Sequence, residues 1–380
     1  MLIFILVKPQ LNYFINLLIM WYFIQILLIT SRIAMSKFEK YLPTLKRLSK
    51  LDKLSERDIS NQFRKNHNTE QVISKNEHCY GSFSVRVDDL SFFLTERPIS
   101  YLNKHWGRCS NVQTHANSLG IALPLYIGEG TLSSAIYEIE RCETPLENSN
   151  KWLFQNFSLE IAIAYFNKYF IKSESLSDYK TIIFEAIEAF YLGYDHISIM
   201  SLFPVFEGGL RRLLVKFADG DSTNTSADRF EKEIKKLIIT WGLRQIPNFD
   251  WHPGKGYDIE TEIDFFTHLN PQCDVINSTR SFFKNVIYKP TGGVNEGSFN
   301  RHLILHLLNQ NFNEPSNFVR IFLALTHITF AESLMNNNVP FFWEGVDDND
   351  RRIASFISKS GNIIFEMRRK EINNLGLNLY

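Results

Sequence analysis

One short segment of the chain combines residue types that can cleave RNA. Residues 298–306 read SFNRHLILH and place Arg301, His302 and His306 directly after the glycine-rich stretch KPTGGVNEG. A histidine titrates near neutral pH, so it can move the proton of a ribose 2′-hydroxyl or of a leaving oxygen. A guanidinium can hold the scissile phosphate and the negative charge that builds on it. This chemistry requires neither a metal ion nor a cofactor, and the sequence predicts none.

The element that must position these side chains is a helix. Ser298 can serve as its N-cap, and His302 and His306, at positions i and i+4, share one face. Arg301 and His306 are five residues apart, which places them about 140° apart around a regular helix. They converge only if the first turn is irregular or if two subunits each contribute one of them. On spacing alone, capping and core-edge polar groups explain the same residues equally well.

Two amphipathic helices flank this segment. Residues 202–213 read LFPVFEGGLRRL, and residues 314–328 read EPSNFVRIFLALTHI. Consecutive glycines at positions 208 and 209 cost about 1 kcal/mol each relative to alanine within a helix. This cost predicts either close packing against another helix or a bend. Pro315 opens the second helix, whose apolar composition predicts a central position in the fold.

Together the three elements resemble the HEPN superfamily (higher eukaryotes and prokaryotes nucleotide-binding), an all-helical group rich in RNases of toxin–antitoxin and phage-defence systems. The HEPN signature is an arginine, a polar residue, a few further residues and a histidine, and Arg301, His302 and His306 match it. One group of HEPN-like proteins has elements that read roughly LFPVIEGLLR, NRHxILHG and ENALRLFLLLD, in the order found here. The resemblance covers residues 178–335. It departs at Leu307, where that group commonly has glycine, and in the long insertion between the first two elements.

The resemblance implies a metal-independent endoribonuclease that acts as a homodimer, with two Arg–His pairs facing each other across a cleft. It implies that His306 is the acid–base residue and that Arg301 binds the phosphate, so that attack by the 2′-hydroxyl leaves a cyclic phosphate end. His302 either contacts phosphate or caps the helix. RNA is the implied substrate, and an antitoxin or a sensor protein is the implied partner.

Three further residues are candidates for supporting roles. Asn300 directly precedes the arginine of the motif, and Glu207 and Arg211 lie one turn apart in the preceding helix. Glu207 and Arg211 could orient the site. The simpler interpretation is an intrahelical ion pair, which contributes a few tenths of a kcal/mol.

The charge composition does not favour a protein that binds long nucleic acids through many phosphate contacts. The chain has 41 basic and 41 acidic side chains and a formal net charge of zero, whereas such proteins are usually basic. Contact with RNA would therefore be local or shared between subunits. The chief alternative is a non-catalytic helical module that binds RNA, a nucleotide or a protein partner. A further alternative is a membrane-tethered sensor, in which residues 80–150 recognise a signal and the helices relay it.

The sequence predicts a mainly α fold that follows a small, irregular α+β region. Helical periodicity dominates the C-terminal half, so the predicted divisions are residues 1–34, residues 35–150, and a HEPN-like helical domain over residues 151–380. Within the α+β region, the polar residues 57–78 predict a loop. The stretch SFSVRVDDL alternates polar and apolar residues as a short strand does.

Two other stretches give specific expectations. Residues 245–258 form a turn-rich loop in which Trp251 either lines a pocket with His252 and Lys255 or, as the simpler interpretation, packs over the domain. Amphipathic patterns predict one or two helices at the end of the sequence, around residues 348–358 and 363–375.

The N-terminal residues allow two interpretations. Residues 11–30 carry no charge, and about twenty apolar residues can span a bilayer as a helix, with the basic residues that follow on the cytoplasmic side. Alternatively, Met35 is the genuine start and the preceding stretch is a mis-assigned extension. The four cysteines form no CxxC pair, which is typical of proteins in a reducing compartment. Both interpretations place the main body in the cytoplasm, with membrane contact only through residues 11–30.

Overall fold

The computed structural model describes residues 38–51, 53–76, 81–95, 108–217, 226–290, 299–308 and 312–376. The chain divides into two units, of which one comprises Met1–Tyr101 and Ile246–Asp258 and the other comprises Leu102–Gln245 and Ile259–Tyr380. A later segment of the chain, residues 246–258, therefore belongs to the first unit.

The first unit combines short helices with an antiparallel sheet. Its elements are α1 (Leu42–Leu48), α2 (Glu56–His67), β1 (Val72–Lys75), β2 (Ser82–Val87) and β3 (Leu90–Thr95), with the strands in the order β1-β2-β3. The predicted strand is β2, which pairs with β3 so that Val85 lies opposite Phe92. Trp251 is fully buried in the core that these strands share with α1 and α2. Trp251 therefore packs in the core, which was the simpler interpretation of the sequence, and does not serve as a loop residue that lines a pocket.

The expectation of a loop over residues 57–78 is wrong, because α2 and β1 occupy most of that stretch. Helix α2 begins with a capping box in which the side chains of Ser55 and Asp58 bond reciprocally to backbone N–H groups. Ile59 and Phe63, one turn apart, are fully buried. A helix with a strong cap and only two buried apolar residues has too little periodicity to be recognised.

The regular secondary structure of the second unit is helical in the residues that the structure describes. Its helices are α3 (Arg108–Ala116), α4 (Glu129–Glu140), α5 (Pro145–Asn156), α6 (Leu159–Tyr165), α7 (Lys180–Tyr191), α8 (Asp195–Phe217), α9 (Ala227–Gln245), α10 (Ile259–Leu269), α11 (Pro271–Phe282), α12 (Arg301–Leu305), α13 (Pro315–Ser333) and α14 (Asp348–Asn374). Single π-helical turns, Phe166–Phe170 and Phe283–Ile287, extend α6 and α11. The mainly α fold predicted from the sequence is confirmed.

Helix α13 is the centre of this unit, as its apolar composition predicts, and nearly all of its side chains are buried. Helix α8 packs against α13, and its consecutive glycines lie mainly against the segment that leads into α7. A side chain at Gly209 would collide with Leu176 and touch Ile328 of α13, and one at Gly208 would collide with Tyr179. Close packing, the first of the two explanations for this glycine pair, is therefore the one observed.

The structure fixes the bounds of two further helices. Residues 348–374 form the single helix α14, one of the two possibilities that the sequence left open. Gly361 does not break it, since the space beside its Cα is filled by the backbone carbonyl of Tyr191. The helix of the HEPN-like motif is also short, and its N-cap is Asn300 instead of Ser298.

The predicted membrane segment, residues 11–30, lies outside the described residues. Among the helices that are described, none combines the length and the apolar character that crossing a bilayer requires.

Candidate functional site

Helix α12 is only five residues long, and its N-terminus is fixed by a buried asparagine. Asn300 is 1% exposed. Its side-chain oxygen accepts hydrogen bonds from the backbone N–H groups of His302 (2.9 Å) and Leu303 (3.3 Å), and its amide donates to the carbonyl of Lys289 (2.8 Å). Asparagine is among the best N-cap residues because it satisfies N–H groups that have no helical partner. Asn300 thus starts the helix and ties it to the segment after α11.

The C-terminus of α12 is closed by a Schellman motif. The N–H of Leu308 donates to the carbonyl of Leu303 (2.9 Å), and the N–H of Leu307 donates to that of Ile304 (3.1 Å). Leu307 adopts a left-handed conformation with φ of +53°, which glycine takes up at no steric cost. The HEPN-like group that the motif resembles commonly has glycine at this position, and a glycine would fit the backbone found here. His306 is the C-cap residue.

Arg301 points back to α8. Its guanidinium forms an ion pair with the carboxylate of Glu207, and the two side chains are 27% and 14% exposed. The guanidinium also lies over the ring of Tyr288, with 5.7 Å between its central carbon and the ring centroid. Tyr288 directly follows the π turn of Phe283–Ile287, and such turns are frequent at functional sites.

Glu207 and Arg211 do not form the intrahelical pair that spacing suggested, because the ion-pair partner of Glu207 is Arg301. The Nε–H of Arg211 is buried and has no hydrogen-bond partner among the described residues, and the same is true of the Tyr288 hydroxyl. Burial, with a smaller contribution from the Glu207 carboxylate, raises the pKa of Tyr288 well above its ordinary value, while Arg301 and Arg211 oppose this shift. Four polar side chains from three segments therefore interact at this point.

The two histidines of the motif form a pair on the surface. His302 and His306 are both exposed, and their ring centroids are 4.4 Å apart with an angle of 55° between the ring planes. This contact follows from their i and i+4 positions on one face, as the spacing predicts. Two accessible imidazoles at this separation can exchange protons with one bound substrate.

The structure thus divides the motif into two adjacent groups on one short helix. Arg301 forms an ion pair with Glu207 and lies over the ring of Tyr288. The ring of His302 contacts the ring of His306. Within the described part of the chain, no hydrogen bond connects Arg301 with either histidine. This arrangement agrees with the large angle between Arg301 and His306 around a regular helix.

Tyr288 is the residue of this site that sequence reasoning missed. It lies between the π turn and the glycine-rich stretch and belongs to no motif, so its only signal is a lone aromatic beside a break in the helical pattern. Among the described residues, no group of three or more His, Cys, Asp or Glu side chains is arranged to hold a metal ion.

Comparison with known proteins adds no relatives to this description. No protein-family model, no curated protein and no solved structure matches the chain. The HEPN resemblance therefore depends on the three sequence elements alone.

Proposed function

We propose that the chain is an endoribonuclease of the HEPN type that cleaves RNA without a metal ion. The observation that carries this proposal is the pair of exposed imidazoles, His302 and His306, on a short helix that is capped at both ends and bears an anchored guanidinium, that of Arg301. A rigid helix holds catalytic side chains more precisely than a loop does.

In the proposed reaction, His306 takes the proton of a ribose 2′-hydroxyl as that oxygen attacks the adjacent phosphorus. The bond between phosphorus and the 5′-oxygen breaks, and the imidazolium returns the proton to the leaving oxygen. The products are a 2′,3′-cyclic phosphate end and a 5′-hydroxyl end. Arg301 and His302 bind the non-bridging phosphate oxygens, on which negative charge builds.

The setting of this activity is also a proposal. The HEPN resemblance suggests phage defence or a toxin–antitoxin pair, with an antitoxin or a sensor protein as partner. It further suggests a homodimer, in which the second copy supplies a second Arg–His pair and completes a cleft for RNA. The proposed location is the cytoplasm, with or without a membrane tether at residues 11–30.

A second candidate function is a non-catalytic helical module that binds RNA, a nucleotide or a protein. The ion pair between Arg301 and Glu207 favours it, because a guanidinium that is already neutralised holds a phosphate less strongly. In the hydrogen bonds of the described residues, however, Arg301 uses only its Nε–H. Its Nη groups thus keep donors for a ligand.

The test uses the purified full chain and single-stranded RNA in the presence of a metal chelator. We expect cleavage with cyclic phosphate ends, and a loss of roughly a hundred-fold or more in His306→Ala, in line with the usual contribution of an acid–base residue. His196→Ala is the matched control, since His196 is also an exposed histidine of the second unit. It should cleave like the wild type. Equal cleavage by the wild type and His306→Ala would contradict the proposal, and RNA binding without cleavage would favour the second candidate.

A further inference from the structure

The second unit contains a cavity of about 330 Å³ that the proposed RNA site does not use. Its inner part is lined by the buried residues Leu123, Thr326 and Thr329. Its outer part includes Phe342, which is 77% exposed. The cavity therefore opens to solvent at one end and reaches the interior at the other. Its volume lies at the lower end of the range of small-molecule sites.

One wall of this cavity is a loop that the rest of the unit holds in place. The hydroxyl of Tyr169 donates to the carbonyl of Phe342 (2.7 Å) and accepts from the N–H of Glu344 (2.9 Å). The ammonium of Lys168 donates to the carbonyl of Gly345 (2.7 Å) and pairs with the buried Asp350 (2.9 Å). A ligand would thus enter a site that is already formed, with little ordering to oppose binding.

Aromatic side chains line the same part of the cavity. The ring of Trp343 stacks on Tyr165, with 4.7 Å between centroids and 27° between planes. It also lies nearly parallel to Tyr169, with 6.1 Å between centroids and 15° between planes. Rings of this kind pack well against a flat, apolar ligand.

Four buried hydroxyl groups of the lining already donate to the protein. Those of Ser278, Thr326 and Thr329 each donate to a carbonyl of their own helix, at 2.7, 2.7 and 2.8 Å. The fourth is the hydroxyl of Tyr169, which donates to the loop. Because buried polar groups are stable once they are hydrogen-bonded, these four need no partner from a ligand.

Tyr165 differs from these residues. It is 3% exposed, and its hydroxyl makes no hydrogen bond with the residues that the structure describes. Burial, with smaller contributions from Tyr169 and Tyr126, raises the pKa of Tyr165 well above its ordinary value, so the phenol keeps its proton near neutral pH. A buried donor without an acceptor costs free energy, and a ligand oxygen in the cavity would remove that cost.

The other polar side chains of the lining do not provide a free charge. Gln272 and Trp343 are partly exposed N–H donors, and the amide of Gln272 also accepts. Glu129 is exposed and has an interaction of its own. No Lys, Arg or His is among the described residues that line the walls. A charged group beside Tyr165 would therefore lose its hydration without gaining an opposite charge, which favours a neutral ligand.

We propose that this cavity binds a small, flat, neutral and mainly apolar molecule with one hydrogen-bond acceptor, such as a carbonyl oxygen, to which the hydroxyl of Tyr165 donates. The aromatic wall contacts the apolar part of the ligand. The site shares no residue with the proposed nuclease site, so each proposal can fail without the other.

The experiment measures binding of three matched probes to the full chain by calorimetry: indanone, indane and indane carboxylate. They share the same fused rings and carry a neutral acceptor, no polar group and a charged acceptor, respectively. We expect indanone to bind most tightly. Indane should bind roughly five-fold more weakly, as for the loss of one neutral hydrogen bond, and the carboxylate at least ten-fold more weakly than indanone.

Tyr165→Phe removes the hydroxyl and keeps the ring. Indanone and indane should bind this variant equally, and its thermal unfolding midpoint should not fall, because the hydroxyl has no partner among the described residues. Tyr126→Phe is the matched control. Tyr126 lies beside Tyr165, with 6.1 Å between ring centroids, and its hydroxyl donates to the carbonyl of Asn156 (3.0 Å). This control should keep the wild-type preference for indanone.

Val275→Phe fills the cavity, because Val275 is half-buried in its wall, and it should weaken binding of indanone at least ten-fold. If Val275→Phe does not fold, Tyr165→Phe decides the question alone. Four results would each overturn the proposal: equal affinity of the wild type for indanone and either other probe, an unchanged preference in Tyr165→Phe, full binding by folded Val275→Phe, or no binding of indanone at millimolar concentration.

Discussion

Arg301, in the first turn of α12, forms an ion pair with Glu207 in the middle of α8, although 94 residues separate them in the chain. Both side chains are mostly shielded from solvent. The pair therefore fixes the short motif helix against the long helix of the preceding motif element. It also sets the direction of the guanidinium that would meet a phosphate.

Glu207→Gln removes the carboxylate and leaves the partly buried guanidinium of Arg301 without its counter-charge. We expect it to lower the free energy of unfolding by about 1–2 kcal/mol, between the values for exposed and fully buried pairs. If RNA is the substrate, cleavage should also fall, because the guanidinium is no longer held. Urea unfolding measures the first effect. Glu147→Gln, in an exposed pair with Lys151, should leave the unfolding midpoint unchanged, and an equal change in both variants would contradict this role of Glu207.

Leu307→Gly should stabilise the protein. Leu307 has a φ of +53° and is 54% exposed, so glycine removes the strain of a left-handed leucine and gives up little buried surface. We expect a gain of about 0.5–1 kcal/mol in the free energy of unfolding, after the greater backbone freedom of glycine in the unfolded chain is subtracted. Leu308→Gly, at the next position and 63% exposed, should instead destabilise. Thermal unfolding of the two variants, compared directly, checks the opposite signs.

Arg320 links α13 to the elements beside it. Its guanidinium donates to the backbone carbonyls of Leu119 and Gly120 and to the side chains of Ser149, Asn150, Ser316 and Asn317. Burial lowers its pKa to about 10. Lysine keeps the charge but offers three donors from one point, so several of these acceptors lose their partner.

We therefore expect Arg320→Lys to lower the free energy of unfolding by about 3 kcal/mol or more. Arg351→Lys is the control, since Arg351 is 53% exposed, and the same exchange there should change stability by less than about 0.5 kcal/mol. Chemical unfolding of both variants measures the difference. A small effect at Arg320 would mean that water replaces the guanidinium in this interior.

His327 should make stability depend on pH. It is 1% exposed, its Nε2 lies 2.8 Å from the carbonyl of Leu123, and its Nδ1 lies 2.6 Å from the hydroxyl of Thr279. Burial lowers its pKa from 6.5 to about 4, although the hydrogen bond to Leu123 acts in the opposite direction. Between these two values the unfolded chain binds a proton that the folded chain does not, so stability falls as the pH falls.

The expected loss from this one group between pH 6.5 and pH 4 is about 3 kcal/mol. Urea unfolding across this interval, for the wild type and His327→Gln, isolates it as the difference between the two slopes. The variant should be less stable near neutral pH and should lose less stability in acid. Parallel curves for the wild type and His327→Gln would exclude His327 as the source.

The sequence predicts those parts of the fold in which the local residue pattern matches the tertiary packing of the same segment. The apolar composition of α13 indicates its central position, and the glycine pair at 208 and 209 indicates close packing. Gly361 shows the limit of this reasoning, because glycine at a helix break and glycine at a close contact look the same in a sequence. Only the neighbouring carbonyl of Tyr191 distinguishes them.

The site shows the same limit. The contact between His302 and His306 follows from their spacing along a helix. The ion pair between Arg301 and Glu207 and the position of Tyr288 do not, because they join segments that are distant in the chain. A local pattern gives the direction of a side chain along its own helix, and the partner that it meets depends on tertiary packing.

The returning segment, residues 246–258, has a consequence for synthesis on the ribosome. The N–H of Ser91 donates to the carboxylate of Asp250 (2.7 Å), which lies 159 positions later in the chain, and Trp251 completes the core of the first unit. At ordinary translation rates, residues 246–258 are synthesised roughly ten to thirty seconds after the strands β1–β3. During that interval their apolar faces have no Trp251 to cover them, which is the period when a chaperone would be needed. A gene cut at codon 101 would separate the unit from its last core residue, so the two units cannot be expressed as simple halves.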